Sequence, residues 1–223
     1  MTEATRQQPD PLTQPTIDTR KRDYWRVYHS EDVLRRADAL RRSERVLSTG
    51  VYLHVDVYEQ ATSDAPVIIF NHGGGGYSRL FLPLALALHE RGYTVLVPDQ
   101  RGQGLSEGSR SDFTMGQFVQ NIVDVARWAR ERYAGKLFIS GGSVGGALTY
   151  KAAVAGAPVD AIVCHNLYDF GPGGNALAVS RFAAFADLPV VPAVFAALTR
   201  LGAAILPSLR IPYQMLGKFS KMV

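Results

Sequence analysis

A serine set among glycines, Gly141-Gly142-Ser143-Val144-Gly145-Gly146, lies between the strand-like segment KLFIS and the helix-like segment ALTYKAAVAG. A sharp strand-to-helix turn of this kind lifts a hydroxyl clear of the sheet edge, where it can attack a carbonyl as a nucleophile. The backbone of such a turn is strained, so its neighbours must be very small, and glycines at 141, 142, 145 and 146 meet that demand. The helix that follows points its first amides at any negative charge forming beside Ser143. The plainer alternative is a glycine-rich turn with an incidental serine. A dinucleotide site would need G-x-G-x-x-G and a P-loop would need a Gly-Lys-Ser/Thr ending; neither spacing is present.

A second motif, His72-Gly73-Gly74-Gly75-Gly76-Tyr77-Ser78, follows the apolar run VIIFN. The tetrahedral intermediate of acyl transfer needs two amide donors for its oxyanion, and glycines let a backbone approach the reacting carbon closely. The amide of Val144 is placed to be one donor, and this loop the source of the other. Losing one such donor typically costs about 2.7 to 4 kcal/mol of transition-state stabilisation.

The elements needed to bring these two motifs together are legible in the hydrophobic pattern. Ser30 can cap a helix through EDVLRRADALRR. VYLHVDVYE alternates apolar Val51, Leu53, Val55 and Val57 with more polar residues, the pattern of a half-exposed strand. VIIFNH and YTVLVPD are continuous apolar runs suited to strands covered on both faces. Between them SRLFLPLALALHERG has helical spacing, with Pro83 confined to a first turn and Gly92 at the end. Met115 to Ala134 puts Phe118, Ile122, Val125 and Ala129 on one helix face, and Gly135 follows as a stop. KLFIS, a helix, and the apolar strand AIVCH complete a repeated strand-helix-strand order. That order predicts an α/β fold, a mostly parallel doubly wound sheet with helices on both faces.

With 223 residues, 47% of them hydrophobic, the chain can bury one sizeable core, and its composition is that of a soluble globular protein. The formal charge is +4, but Arg20-Lys21-Arg22, Arg35-Arg36 and Arg41-Arg42 alternate with carboxylates, as on a solvated helix face; no nucleic-acid partner is implied. A lone cysteine, Cys164, rules out an internal disulfide or a cysteine zinc cage, and its apolar neighbours suggest a buried structural thiol. Residues 1–22 are polar and proline-broken, reading as a disordered tail without a signal peptide, which leaves a cytoplasmic location as the expectation. Leu188 to Leu206 is apolar but interrupted by Pro189, Pro192, Arg200 and Gly202, so no transmembrane segment is expected. From 171 to 223 the alanine-rich, proline-broken pieces suggest short helices of a cap over a core spanning 23–170.

Three motifs in order, HGGGGYS, DQRGQGLSEG from Asp99 to Gly108, and GGSVGG, resemble those of the α/β-hydrolase superfamily, in particular its monoacylglycerol lipase and serine aminopeptidase branch. The resemblance implies Ser143 as nucleophile, Gly74 and Val144 as the oxyanion donors, and a structural turn at Arg101, Gly102, Gly104 and Ser106. It also implies an acid and then a histidine after later strands. No histidine follows His165, and the aspartates after Ser143 are Asp160, Asp169 and Asp187. The expectation is therefore an incomplete version of a longer hydrolase, its last strands missing and AIVCH left as an exposed edge. His165, with Asp169 to orient it, is the substitute base the chain offers. The function implied is a lipase-like or esterase-like serine hydrolase acting on a small ester or acyl substrate, with no metal or cofactor. Peptidase or acyltransferase chemistry and a catalytically silent, binding-only member stand as alternatives.

Overall fold

The computed structural model describes residues 25–109, 113–167 and 190–205. The chain divides into two compact units, 1–167 and 168–223. The first is built on a six-stranded sheet. Its elements are α1 (Glu31–Leu40), β1 (Arg41–Ser48), β2 (Val51–Tyr58), β3 (Val67–Asn71), α2 (Leu82–His89), β4 (Thr94–Pro98), α3 (Met115–Arg130), β5 (Leu137–Gly142), α4 (Val144–Val154) and β6 (Ala161–His165). The strand order is β1-β2-β4-β3-β5-β6. From β4 through β6 every pairing is parallel, while β1 and β2 join antiparallel.

The two faces of the sheet carry separate cores. Leu53, Val55, Val57, Val67, Ile69, Leu96, Leu137 and Ile139 pack against Phe118, Ile122, Val125 and Ala129 of α3 and Leu148 and Ala152 of α4. On the other face Tyr58, Phe70, Val95 and Val97 meet Leu34 and Ala37 of α1 and Leu82, Ala85 and Leu86 of α2. The expected doubly wound, mostly parallel sheet is the one observed. Ser30 caps α1 through a bond from the Val33 amide (3.4 Å), and Pro83 lies in the first turn of α2. A capping box between Thr114 and Gln117 starts α3.

Several expectations need correction. The helix read through Arg42 stops at Leu40, and Arg41–Ser48 is a strand. Its cause is a two-residue hairpin: Thr49 (φ 47°) and Gly50 (φ 79°) are both left-handed, as a type I′ turn requires, and pair β1 with β2. With β1 beside it, β2 is not half-exposed. His54, Asp56 and Tyr58 are buried on one face and Leu53, Val55 and Val57 on the other. The polar face is tolerated because Asp56 accepts from Arg41 (2.8 Å) and sits 2.9 Å from Nε2 of His54. Cys164 is only half-buried, because β6 pairs with β5 alone among the described residues and its side chains are partly open on both faces.

In the second unit the described residues form one helix, α5 (Val190–Ile205), of 16 residues. Pro192 falls in its first turn, where a missing N–H costs no internal bond. Among the described residues, no helix is long and apolar enough to cross a membrane. The tail 1–22 and the remainder of the expected cap lie outside the described residues.

Candidate active site

Strands β3, β5 and β6 end side by side, and the two glycine motifs follow directly from β3 and β5. Ser143 stands between β5 and α4 at φ 55°, ψ −126°, a backbone region that L-residues seldom occupy. Two close approaches explain its neighbours. A Cβ on Gly145 would lie 2.3 Å from the carbonyl oxygen of Asn71 and 2.4 Å from that of His72, and one on Gly141 would lie 2.3 Å from the carbonyl oxygen of Gly145. Gly142 faces open space instead, so its lack of a side chain is not sterically forced. Gly145→Ala is expected to lower stability by about 1 to 3 kcal/mol, read from denaturant midpoints, because backbone must move on both sides.

The same packing brings the loop after β3 to the serine. A Cβ built on Gly73 would lie 3.3 Å from Cβ and 3.8 Å from Oγ of Ser143, and one on Gly74 would lie 3.9 Å from a methyl of Val144. Phe70, Gly73, Phe81, Gly142, Ser143, His165 and Asn166 line one cleft of about 310 Å³. A larger groove of about 390 Å³ runs between β1 and α3, but its walls are mostly charged or aromatic residues such as Arg45, Glu131 and Trp128 and it contains neither glycine motif.

Beneath the loop lies a set of buried polar groups. Asn71 donates to the Ser140 carbonyl (3.2 Å) and to Oγ1 of Thr149 (3.1 Å), tying β3 to β5 and α4. His72 is bonded at both nitrogens: Nε2 accepts from the Gln100 amide (2.9 Å), so Nδ1 carries the proton and donates to the Gly73 carbonyl (2.9 Å). Asp99 accepts from the Ser78 amide (2.6 Å) and the Leu105 amide (2.8 Å), clamping the glycine loop to the turn that follows β4. Further bonds hold that turn in place. Ser106 donates to the Asp99 carbonyl and accepts from the His54 amide, and Arg101 donates to Thr49. Gly104 (φ 55°) has no room for a Cβ beside the Asp99 carboxylate.

Burial holds the His72 imidazole below its ordinary pKa of 6.5, outweighing the opposing pull of the Gly73 carbonyl and of Asp99. The folded chain therefore binds fewer protons than the unfolded chain once pH drops below about 6.5. The stability His72 supports is present above that pH and is lost as pH falls toward the lowered folded value. Urea midpoints at pH 8 and 5.5 should show this slope, and His72→Gln should flatten it.

His165 ends β6 and lines the cleft, and its contact with Ser143 is through the main chain: the Ser143 amide donates to the His165 carbonyl (3.0 Å). Asn166, next in sequence, is left-handed at φ 51°. Asp160 is at the opposite end of β5, where it accepts from the Leu137 amide and Arg130, both at 2.7 Å. Asp169 and Asp187 lie outside the described residues. Sequence reasoning missed Asn71, Asp99 and Gln100 as supports and Phe70 and Phe81 as walls. The polar ends of the runs VIIFNH and YTVLVPDQ were the available signal.

The family described as serine aminopeptidase, S33, matches residues 62–219. Among curated proteins, the chain is 30% identical over 125 residues to an uncharacterised 31.7 kDa protein of the traX-finO intergenic region of Escherichia coli, covering 54% of this chain and 43% of that one. It is 34% identical over 108 residues to a proline iminopeptidase of Thermoplasma volcanium, covering 47% and 35%. The matched regions span less than half of either relative. Among solved structures, the α/β-hydrolase GrgF from Penicillium superposes with a TM-score of 0.54 at 21% identity, covering 77% of this chain and 57% of that one. The epoxide hydrolase VrEH1 of Vigna radiata gives 0.53 at 23%, covering 68% and 45%. These likenesses speak to the fold, and the family match takes in both the serine turn and the glycine loop. The chain belongs to the serine aminopeptidase (S33) family of α/β-hydrolases.

Proposed function

We propose that this protein is a serine hydrolase that cleaves carboxylic esters through an acyl-enzyme on Ser143. The observation that carries the reading is the strained backbone of Ser143, held beside Gly73 in a cleft. Oγ of Ser143 attacks the ester carbonyl carbon while its proton passes to an imidazole. The carbonyl oxygen becomes an oxyanion held by the amides of Gly74 and Val144. Collapse breaks the bond to the alkoxide, which leaves as the alcohol with that proton. Water then attacks the acyl carbon in the same way, releasing the acid and restoring the serine hydroxyl. His165 and Asp169 are the base and acid the sequence offers for the proton.

A fluorophosphonate probe applied to the folded protein tests the reading. Labelling that disappears in Ser143→Ala supports it, and folded protein that takes no label overturns it. Loss of label in His165→Ala as well would assign that residue the base role; retained label would place the base elsewhere. A second reading, amide cleavage by the same chemistry, draws on the likeness to a proline iminopeptidase. Release of nitroaniline from proline p-nitroanilide faster than ester hydrolysis would favour it.

A further inference from the structure

The cleft beside Ser143 has two unlike walls. On one side Phe70, from the end of β3, and Phe81, from the short 3-10 turn Ser78–Phe81, meet with ring centroids 4.7 Å apart and planes tilted by 52°. Phe70 is held in the core by α2 and β4 neighbours, so its ring is a fixed surface against which Phe81 packs. Across the cleft stand the backbone of Gly73 and Gly142 together with Ser143, His165 and Asn166. A cleft of about 310 Å³ is at the lower end of small-molecule sites.

Phe70 and Phe81 are the aromatic residues in that lining. Aromatic rings also gain from tilted and offset contacts with one another beyond the area they bury. Saturated rings of the same carbon count are thicker and are the more hydrophobic, so a simple apolar wall would favour them over an aryl group. We infer that Phe70 and Phe81 form a specificity subsite for a planar, aryl-type acyl group, seated with its carbonyl carbon at Ser143. The inference rests on the ester-hydrolase reading for the word acyl, whereas the aromatic subsite itself requires no chemistry at Ser143.

The test is therefore a binding measurement with product-like acids. Benzoate and cyclohexanecarboxylate carry the same number of carbons and the same charge, and differ in flatness and aromaticity. Ligand-observed NMR titration of the full chain should show benzoate binding about threefold to tenfold tighter, the range that an aromatic contact supplies. In Phe81→Leu, which keeps an apolar side chain, the ratio should fall to about one while circular dichroism stays that of the parent. Ser143→Ala should keep the preference. Equal binding of the two acids, binding of neither, or a preference untouched in Phe81→Leu overturns the subsite. Should fluorophosphonate labelling fail while the benzoate preference and its loss in Phe81→Leu are observed, the hydrolase reading falls and the subsite stands.

Discussion

Ser143→Gly is expected to abolish fluorophosphonate labelling and, in the same protein, to raise stability by about 1 kcal/mol. The first effect follows from removing the hydroxyl that the β5–α4 turn holds beside Gly73. Where a nucleophile of this kind has been removed from a serine hydrolase, turnover has fallen by about a millionfold. The second follows from the backbone: at φ 55° and ψ −126° a side chain costs roughly 1 to 3 kcal/mol, and glycine occupies such regions freely. Part of the gain is offset by the greater freedom of glycine in the unfolded chain. Ser143→Ala separates the two, since it loses the label and keeps the strain. Probe fluorescence on a gel and urea midpoints for the three proteins check both effects. A glycine variant that is less stable than the parent would show that the strain is not stored at Ser143.

Asp56→Ala should be the most damaging substitution away from the cleft, lowering stability by about 3 to 5 kcal/mol. Asp56 has no exposed surface, and its carboxylate is shared by Arg41 at 2.8 Å and His54 at 2.9 Å. Removing it leaves the Arg41 guanidinium, only 12% exposed, without its buried counter-charge. Against a total of about 5 to 15 kcal/mol for a domain, that loss brings the fold to the edge of unfolding. Replacing both partners, as in Arg41→Met with Asp56→Leu, should recover most of it, because no charge is then stranded. A double variant no better than the single one would sink the explanation. The bonds from His54 and Arg41 hold the Asp56 carboxyl down to about 2 against the opposing effect of burial. Its contribution is therefore present above its ordinary value of 3.8 and is lost as pH falls toward 2.

The parts of this molecule that could be read from the sequence are those where one residue type is physically compelled. Gly141 and Gly145 are forced by backbone oxygens 2.3 Å from where a Cβ would sit, so the serine turn announced itself in letters. The apolar runs of β3 and β4 did the same, being covered on both faces. Strand β1 was hidden because Arg41 and Arg42 extend the helical charge pattern of α1, and the Thr49-Gly50 turn that redirects them is a single dipeptide. The burial of Asp56 depends on Arg41, which comes from another strand, and no local pattern records that pairing. Phe70 and Phe81 were legible as apolar residues; that they line one cleft with Ser143 required the fold. His72 was legible only as the head of the glycine motif, because its bond to the Gln100 amide joins segments 28 residues apart.

The bond from the Ser143 amide to the His165 carbonyl has a consequence for dynamics. That carbonyl belongs to the last residue of β6, a strand held from one side only among the described residues. Edge elements fray more readily than central ones, and amide protons exchange with solvent at a rate set by the least costly opening that exposes them. The amide of Ser143 is thus a reporter of fraying at β6, although the residue sits at the centre of the cleft. Each excursion of the edge strand releases that bond, so the protection of one amide in the cleft measures the adhesion of β6 to β5.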